Sequence, residues 1–119
     1  MVARRKSKVE PHPSGCPLDK CMGIIGGAWT PNIIWFLAGQ PRRFSELKSD
    51  IEGISAKMLT TRLKKLESEG IVYREVMPTS PPTVEYSLTE LGQELQPAID
   101  AIVSVGHRLK EHRNGLAAQ

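Results

Sequence analysis

The feature that most constrains this chain is the run from Ser55 to Leu88, where a helix-forming segment, a glycine and two strand-forming segments follow one another directly. Leu59, Leu63 and Leu66 recur at spacings of four and three, which draws one apolar stripe along a helix. Ser55, after the tight turn Gly53-Ile54, is placed to cap that helix, and Gly70 supplies the left-handed residue that closes it near Glu69. Ile71 to Met77 then reads as a strand, Pro78 to Pro82 as a proline-rich turn, and Thr83 to Leu88 as a returning strand. A helix with one apolar stripe and a two-stranded hairpin both need a partner to cover them. The rest of the chain has to supply it.

Upstream, Pro17 opens a first helix that carries Leu18, Cys21, Met22, Ile24 and Ile25 and ends at Gly26-Gly27. Thr30-Pro31 predicts the start of a second helix, with Thr30 as N-cap and Pro31 at the first helical position. Ile33, Ile34, Trp35, Phe36 and Leu37 make this helix apolar nearly all round, the mark of a buried one. After Gly39 and Pro41, a short stretch Arg42-Arg43-Phe44 leads to Ser45, expected to cap a third helix from Glu46 to Asp50. Downstream, Thr89 caps a final helical region reaching about Arg113, interrupted or kinked at Pro97. Three helices, a tight turn, a helix, a hairpin and a long helix describe a winged helix-turn-helix. The fold class is mainly α with a small β-hairpin wing (α+β).

The chain has 119 residues, enough for one domain, assigned to residues 16–113, with a tail at 114–119. Residues 1–15 read as an arm, basic at first and then broken by Pro11, Pro13 and Gly15; it either reaches a DNA backbone or merely solubilises the terminus. Aromatic residues are 5% of the chain, so the core rests on Leu, Ile and Val, and a core of this size gains from pairing with a second copy. No apolar run is long enough to span a bilayer, and the basic start leads into Glu10-Pro11-His12-Pro13 rather than a signal sequence. Two cysteines without an export signal fit a reducing compartment, and the expected location is the cytoplasm.

A net charge of +3 leans towards an anionic partner. On the fourth helix Ala56, Lys57, Thr60, Thr61 and Lys64 share the face away from the leucines. Small residues there let the backbone approach a groove, lysines and hydroxyls can contact phosphates, and threonine can meet a thymine methyl. The helix start at Ser55 presents N–H groups that suit a phosphate. Arg42, Arg43 and the strand residue Arg74 are further candidates for phosphate contact, whereas the wing tip Thr79-Ser80-Pro81-Pro82 is uncharged. Such a face alone is more often that of an ordinary solvated helix; the adjacent hairpin favours double-stranded DNA. The alternative is a winged-helix module devoted to protein–protein contacts. An enzyme with a Cys nucleophile has little support: no histidine and acid stand in a recognisable relation to Cys16, and no phosphate loop or carboxylate pair occurs. The spacing of Cys16, Cys21, His12, His107 and His112 matches no standard zinc pattern, and no metal or cofactor is expected.

Several blocks resemble the HxlR-type regulators, bacterial relatives of the MarR-like winged-helix proteins. They are Cys16-Pro17, Ile25-Gly26-Gly27-Ala28-Trp29, Arg43-Phe44-Ser45-Glu46-Leu47, Gly53-Ile54-Ser55 and Lys57-Met58-Leu59-Thr60, then Leu63, Leu66-Glu67 and Gly70. Ile71-Val72-Tyr73-Arg74, Pro81-Pro82, Val84 to Thr89 and Leu91-Gly92 continue the match in order. The resemblance implies a homodimer held by the terminal helices on a pseudo-palindromic operator, with Ser55 to Glu69 as recognition helix. This chain departs from it at Ala28, where relatives usually carry lysine, and at Val105, near which many carry tryptophan.

In several relatives a cysteine placed like Cys16 senses quinones, aldehydes or oxidants, which makes a small electrophile or oxidant a further expected partner. At the start of a helix the dipole favours the thiolate that such chemistry needs. Cys21, among Met22, Ile24 and Ile25, reads instead as a small core or interface residue. Five residues apart on a helix, the two thiols do not face each other, so a disulfide between subunits is favoured over one within the chain.

Overall fold

A computed structural model describes residues 17–117. The expected arm at 1–15 and Cys16 lie outside the described residues. The element order is α1 (Pro17–Ile25), α2 (Thr30–Leu37), β1 (Arg42–Arg43), α3 (Phe44–Asp50), α4 (Ala56–Ser68), β2 (Val72–Met77), β3 (Thr83–Leu88) and α5 (Glu90–Ala117). The strands form one antiparallel sheet in the order β1-β3-β2. This is a winged helix: α3 and α4 make the helix-turn-helix, and β2 and β3 the wing.

The leucine stripe organises the core. Leu59, Leu63 and Leu66 of α4 are buried together with Ile33, Ile34 and Leu37 of α2, Leu47 of α3, Val72 of β2, Leu88 of β3 and Ile99 of α5. Each helix presents one apolar face to this cluster, and the wing is attached through Ile71 and Val72, the two residues that leave α4. Gly70 has φ +77°, so the chain reverses at the end of α4 through the left-handed conformation expected of it.

Thr89 anchors the other end of the wing. Its backbone N–H donates to the Ile71 carbonyl at 3.0 Å, and its hydroxyl donates to the Gly70 carbonyl at 2.5 Å. The same hydroxyl accepts the Gly92 N–H at 3.0 Å, which caps α5 as the sequence indicates. Gly92 itself is buried, and a Cβ there would collide with the Ile71 carbonyl oxygen.

Four expectations are corrected. The N-cap of α2 is Trp29, not Thr30: Ile33 N–H bonds the Trp29 carbonyl at 3.0 Å, and Thr30 is already helical and buried. Trp29 holds φ +69°, a conformation that costs energy for a bulky residue, while its indole packs against the core and Gly53. Ser45 does not cap α3. Pairing of β1 with β3 holds Arg43 extended, the helix starts at Phe44, and Glu46 Oε1 accepts the Arg43 N–H at 2.8 Å. Helix α2 is not buried all round, since Trp35 is 42% exposed. Finally, α5 runs unbroken through Pro97 to Ala117, beyond the expected end near Arg113. Pro97 and Gln93 are exposed, so water can take the Gln93 carbonyl that the proline leaves without a donor.

Candidate nucleic-acid interface

The presented face of α4 is built from its first three turns. Ser55 is its N-cap, with extended backbone (φ −82°, ψ 156°) and a hydroxyl that accepts the Met58 N–H at 3.1 Å. Ala56, Lys57, Thr60, Thr61 and Lys64 are all exposed on the side opposite the buried leucines. The structure therefore brings these six residues together on one surface. The threonine hydroxyls, however, are turned inward: Thr60 Oγ1 donates to the Ala56 carbonyl at 2.8 Å, and Thr61 Oγ1 to the Lys57 carbonyl at 2.9 Å. In that rotamer each hydroxyl proton is committed, so the expected donation to a phosphate is not available. Each oxygen can still accept, and the methyl groups can meet apolar base edges. Cationic contact on this face falls to Lys57 and Lys64.

The three arginines separate. Arg42 is half-buried and each of its guanidinium nitrogens bonds a carboxylate: Nε and Nη2 donate to the two Asp50 oxygens at 3.0 and 3.1 Å, and Nη1 to Glu46 Oε2 at 3.2 Å. This fork fastens β1 to both ends of α3 and commits three of the five guanidinium N–H groups to carboxylates, so Arg42 serves first as an internal brace. Arg43 is exposed at the β1 edge, but in the sheet it stands beside Glu85, which pairs in turn with Glu75. Arg74 is exposed on β2, opposite Tyr86. The wing tip is braced within itself, as Thr79 Oγ1 donates to the Pro81 carbonyl at 2.7 Å and lies 3.1 Å from Thr83 Oγ1.

One cation absent from the expected set, Arg62, lies on the flank of α4 and is half-buried against the α1–α2 turn. Its place beside Leu63, at the border of the apolar stripe, was the signal that could have marked it. A second surface lies away from α4. Pro31, Asn32, Trp35 and Phe36 of α2 and Ile99, Ile102, Val103 and His107 of α5 line an open apolar groove of about 410 Å³. Beyond it, Ile102, Val105 and Leu109 are 53%, 45% and 64% exposed on α5, and Leu18 and Met22 are exposed on α1. Cys21, on α1, is exposed with a free thiol. Among the described residues no group of three or more His, Cys, Asp or Glu could hold a metal ion, and no helix is long and apolar enough to cross a membrane.

A capped helix presented beside an antiparallel wing defines a winged helix-turn-helix protein. Residues 24–114 match the model of the HxlR-like helix-turn-helix family, and the chain belongs to that family. YybR of Bacillus subtilis, an uncharacterized HTH-type transcriptional regulator, is 39% identical over 94 residues, covering 79% of this chain and 75% of YybR. Among solved structures, the redox regulator HypR in its oxidized form superposes with a TM-score of 0.75 at 38% identity, covering 78% of this chain and 96% of HypR. The transcriptional regulator YodB from B. subtilis, in its reduced form, gives 0.68 at 39% identity over 76% of this chain and 90% of YodB.

Proposed function

We propose that this member of the HxlR-like family is a transcriptional regulator that binds double-stranded DNA sequence-specifically, as a homodimer on a pseudo-palindromic operator. The observation that carries the reading is the face of α4. Six small or basic residues are exposed along a helix whose opposite side is locked into the core, beside a wing that flanks the same helix. A rigid helix with exposed short side chains fits a major groove, and Lys57 and Lys64 supply the charge for its walls. Two such helices, one per subunit, would enter successive grooves roughly 34 Å apart. Arg43 and Arg74 are proposed as flanking phosphate contacts.

The apolar stripe of α5, with Leu18 and Met22 of α1, is the surface we assign to the second copy. That so many large apolar side chains face solvent on the terminal helices of a single chain supports this assignment. We assign a redox or electrophile response to Cys16, on the strength of its position just before α1 and of the similarity to the redox regulator HypR.

The test is a gel shift with DNA recovered by genome-wide pull-down of the wild-type protein. Lys64→Glu is expected to lose operator binding while keeping the wild-type melting temperature and subunit size; unchanged affinity would sink the assignment of this face. In the same assay Cys16→Ser should bind as wild type does but ignore hypochlorite or a quinone. A response equal to wild type removes Cys16.

A further inference from the structure

Against the α1–α2 turn lies an arginine of α4 that has no partner among the described residues. Arg62 leaves the flank of α4 and lays its guanidinium against Gly27. A Cβ built on Gly27 would lie 3.3 Å from Arg62 Nη1, 3.5 Å from its Cζ and 3.1 Å from Thr30 Oγ1. A side chain at Gly27 would crowd the guanidinium, which lies close over this glycine. Arg62 Nε is buried and makes no hydrogen bond, and among the described residues the guanidinium forms neither a hydrogen bond nor an ion pair. Arg42 shows the contrast, with all three of its nitrogens bonded to carboxylates.

A planar cation held in place with its donors unfilled is suited to an anion that arrives from outside. The place also fits. The Trp29 indole packs against Gly53, at 3.6 Å from a Cβ built there, so the α1–α2 turn sits beside the turn that leads into α4. That is the end of a recognition helix that approaches DNA. Gly26 and Ala28, on either side of Gly27, are exposed and small, so nothing bulky stands between the turn and an approaching backbone.

We infer that Arg62 is a phosphate-binding residue, which takes one DNA phosphate at the α1–α2 turn and extends the interface beyond the presented face of α4. The inference rests on the DNA-binding reading above. Because a phosphate contact carries no sequence information, the probe is a fluorescein-labelled random-sequence duplex of about 30 bp, titrated in KCl from about 50 to 200 mM.

Arg62→Met should flatten the plot of log affinity against log salt concentration by about 0.9 per bound protomer, the value for one lost phosphate contact. Ala28→Lys, on the exposed turn, should steepen it by a similar amount, and Ala28→Glu should weaken binding. A residue that only holds the fold would lower the melting temperature and shift the plot in parallel. A folded Arg62→Met with the wild-type slope therefore overturns the inference. If Arg62→Met does not fold, the Ala28 pair decides: both variants matching wild type overturns it, and opposite shifts uphold it. Failure of the wild-type protein to bind any duplex overturns instead the DNA reading on which it stands.

Discussion

Arg42 and Arg62 show how much the neighbours of a residue decide its use. Both are half-buried arginines in the helix-turn-helix half of the chain, yet one is bound by Asp50 and Glu46 while the other has no acceptor among the described residues. The Arg42 pair is bidentate and its side chains are only 22% and 24% exposed, so it is worth more than a free surface ion pair. Arg42→Ala is expected to lower stability by about 1 kcal/mol in urea melts, and to leave the salt dependence of DNA binding unchanged. A reduced salt slope with unaltered stability would return Arg42 to the interface. Thr60 and Thr61 make the same point on a smaller scale. Their type suggests hydroxyl donors, and one torsion each has turned those protons onto the helix backbone.

At the level of elements, the joint between the wing and α5 sets how the helix-turn-helix and terminal parts of the chain are held together. Thr89 ties the start of α5 to the carbonyls of Gly70 and Ile71, and Gly92 lets the first turn of α5 lie directly on that backbone. Gly92→Ala separates two opposing effects. On an open helix the change would stabilise by about 1 kcal/mol through propensity alone. Here the added methyl meets a backbone carbonyl that cannot swing aside, and overpacking of that kind costs about 1–3 kcal/mol. The net expectation is a lower melting temperature in calorimetry; a rise would mean that the first turn of α5 is not seated on the Ile71 carbonyl as described.

For the whole molecule, the question is what covers α5. Every residue from 104 to 115 is exposed, so the second half of this helix extends past the body of the chain. Ile102, Val105 and Leu109 recur at three and four residues and place one apolar stripe along it. If a second copy buries that stripe, Leu109→Asp removes about 2 kcal/mol of apolar burial from each of two protomers, and so weakens the dimer roughly a thousandfold. Sedimentation across a dilution series reads this directly. A variant that stays as dimeric as wild type moves the interface elsewhere. The consequence for function is geometric, since a monomer presents one α4 where a pseudo-palindrome calls for two.

Much of the fold was legible because it is written in short-range terms. The stripe of Leu59, Leu63 and Leu66, the caps at Ser55 and Thr89, the left-handed Gly70 and the hairpin that follows all depend on residues within a few positions of one another. Periodicity and capping therefore determined the winged helix and located the presented face of α4. What only the tertiary structure decided lies between segments distant in the chain. Strand β1 exists because Arg42 and Arg43 meet Tyr86 and Glu85, and that pairing moves the start of α3 from Ser45 to Phe44. Arg42 became a brace because packing set Asp50 and Glu46 around it, and Arg62 was left with open donors because packing set it against a glycine. Charge and helical phase place an arginine at a surface. Which partners its nitrogens meet is settled only when the helices close on one another.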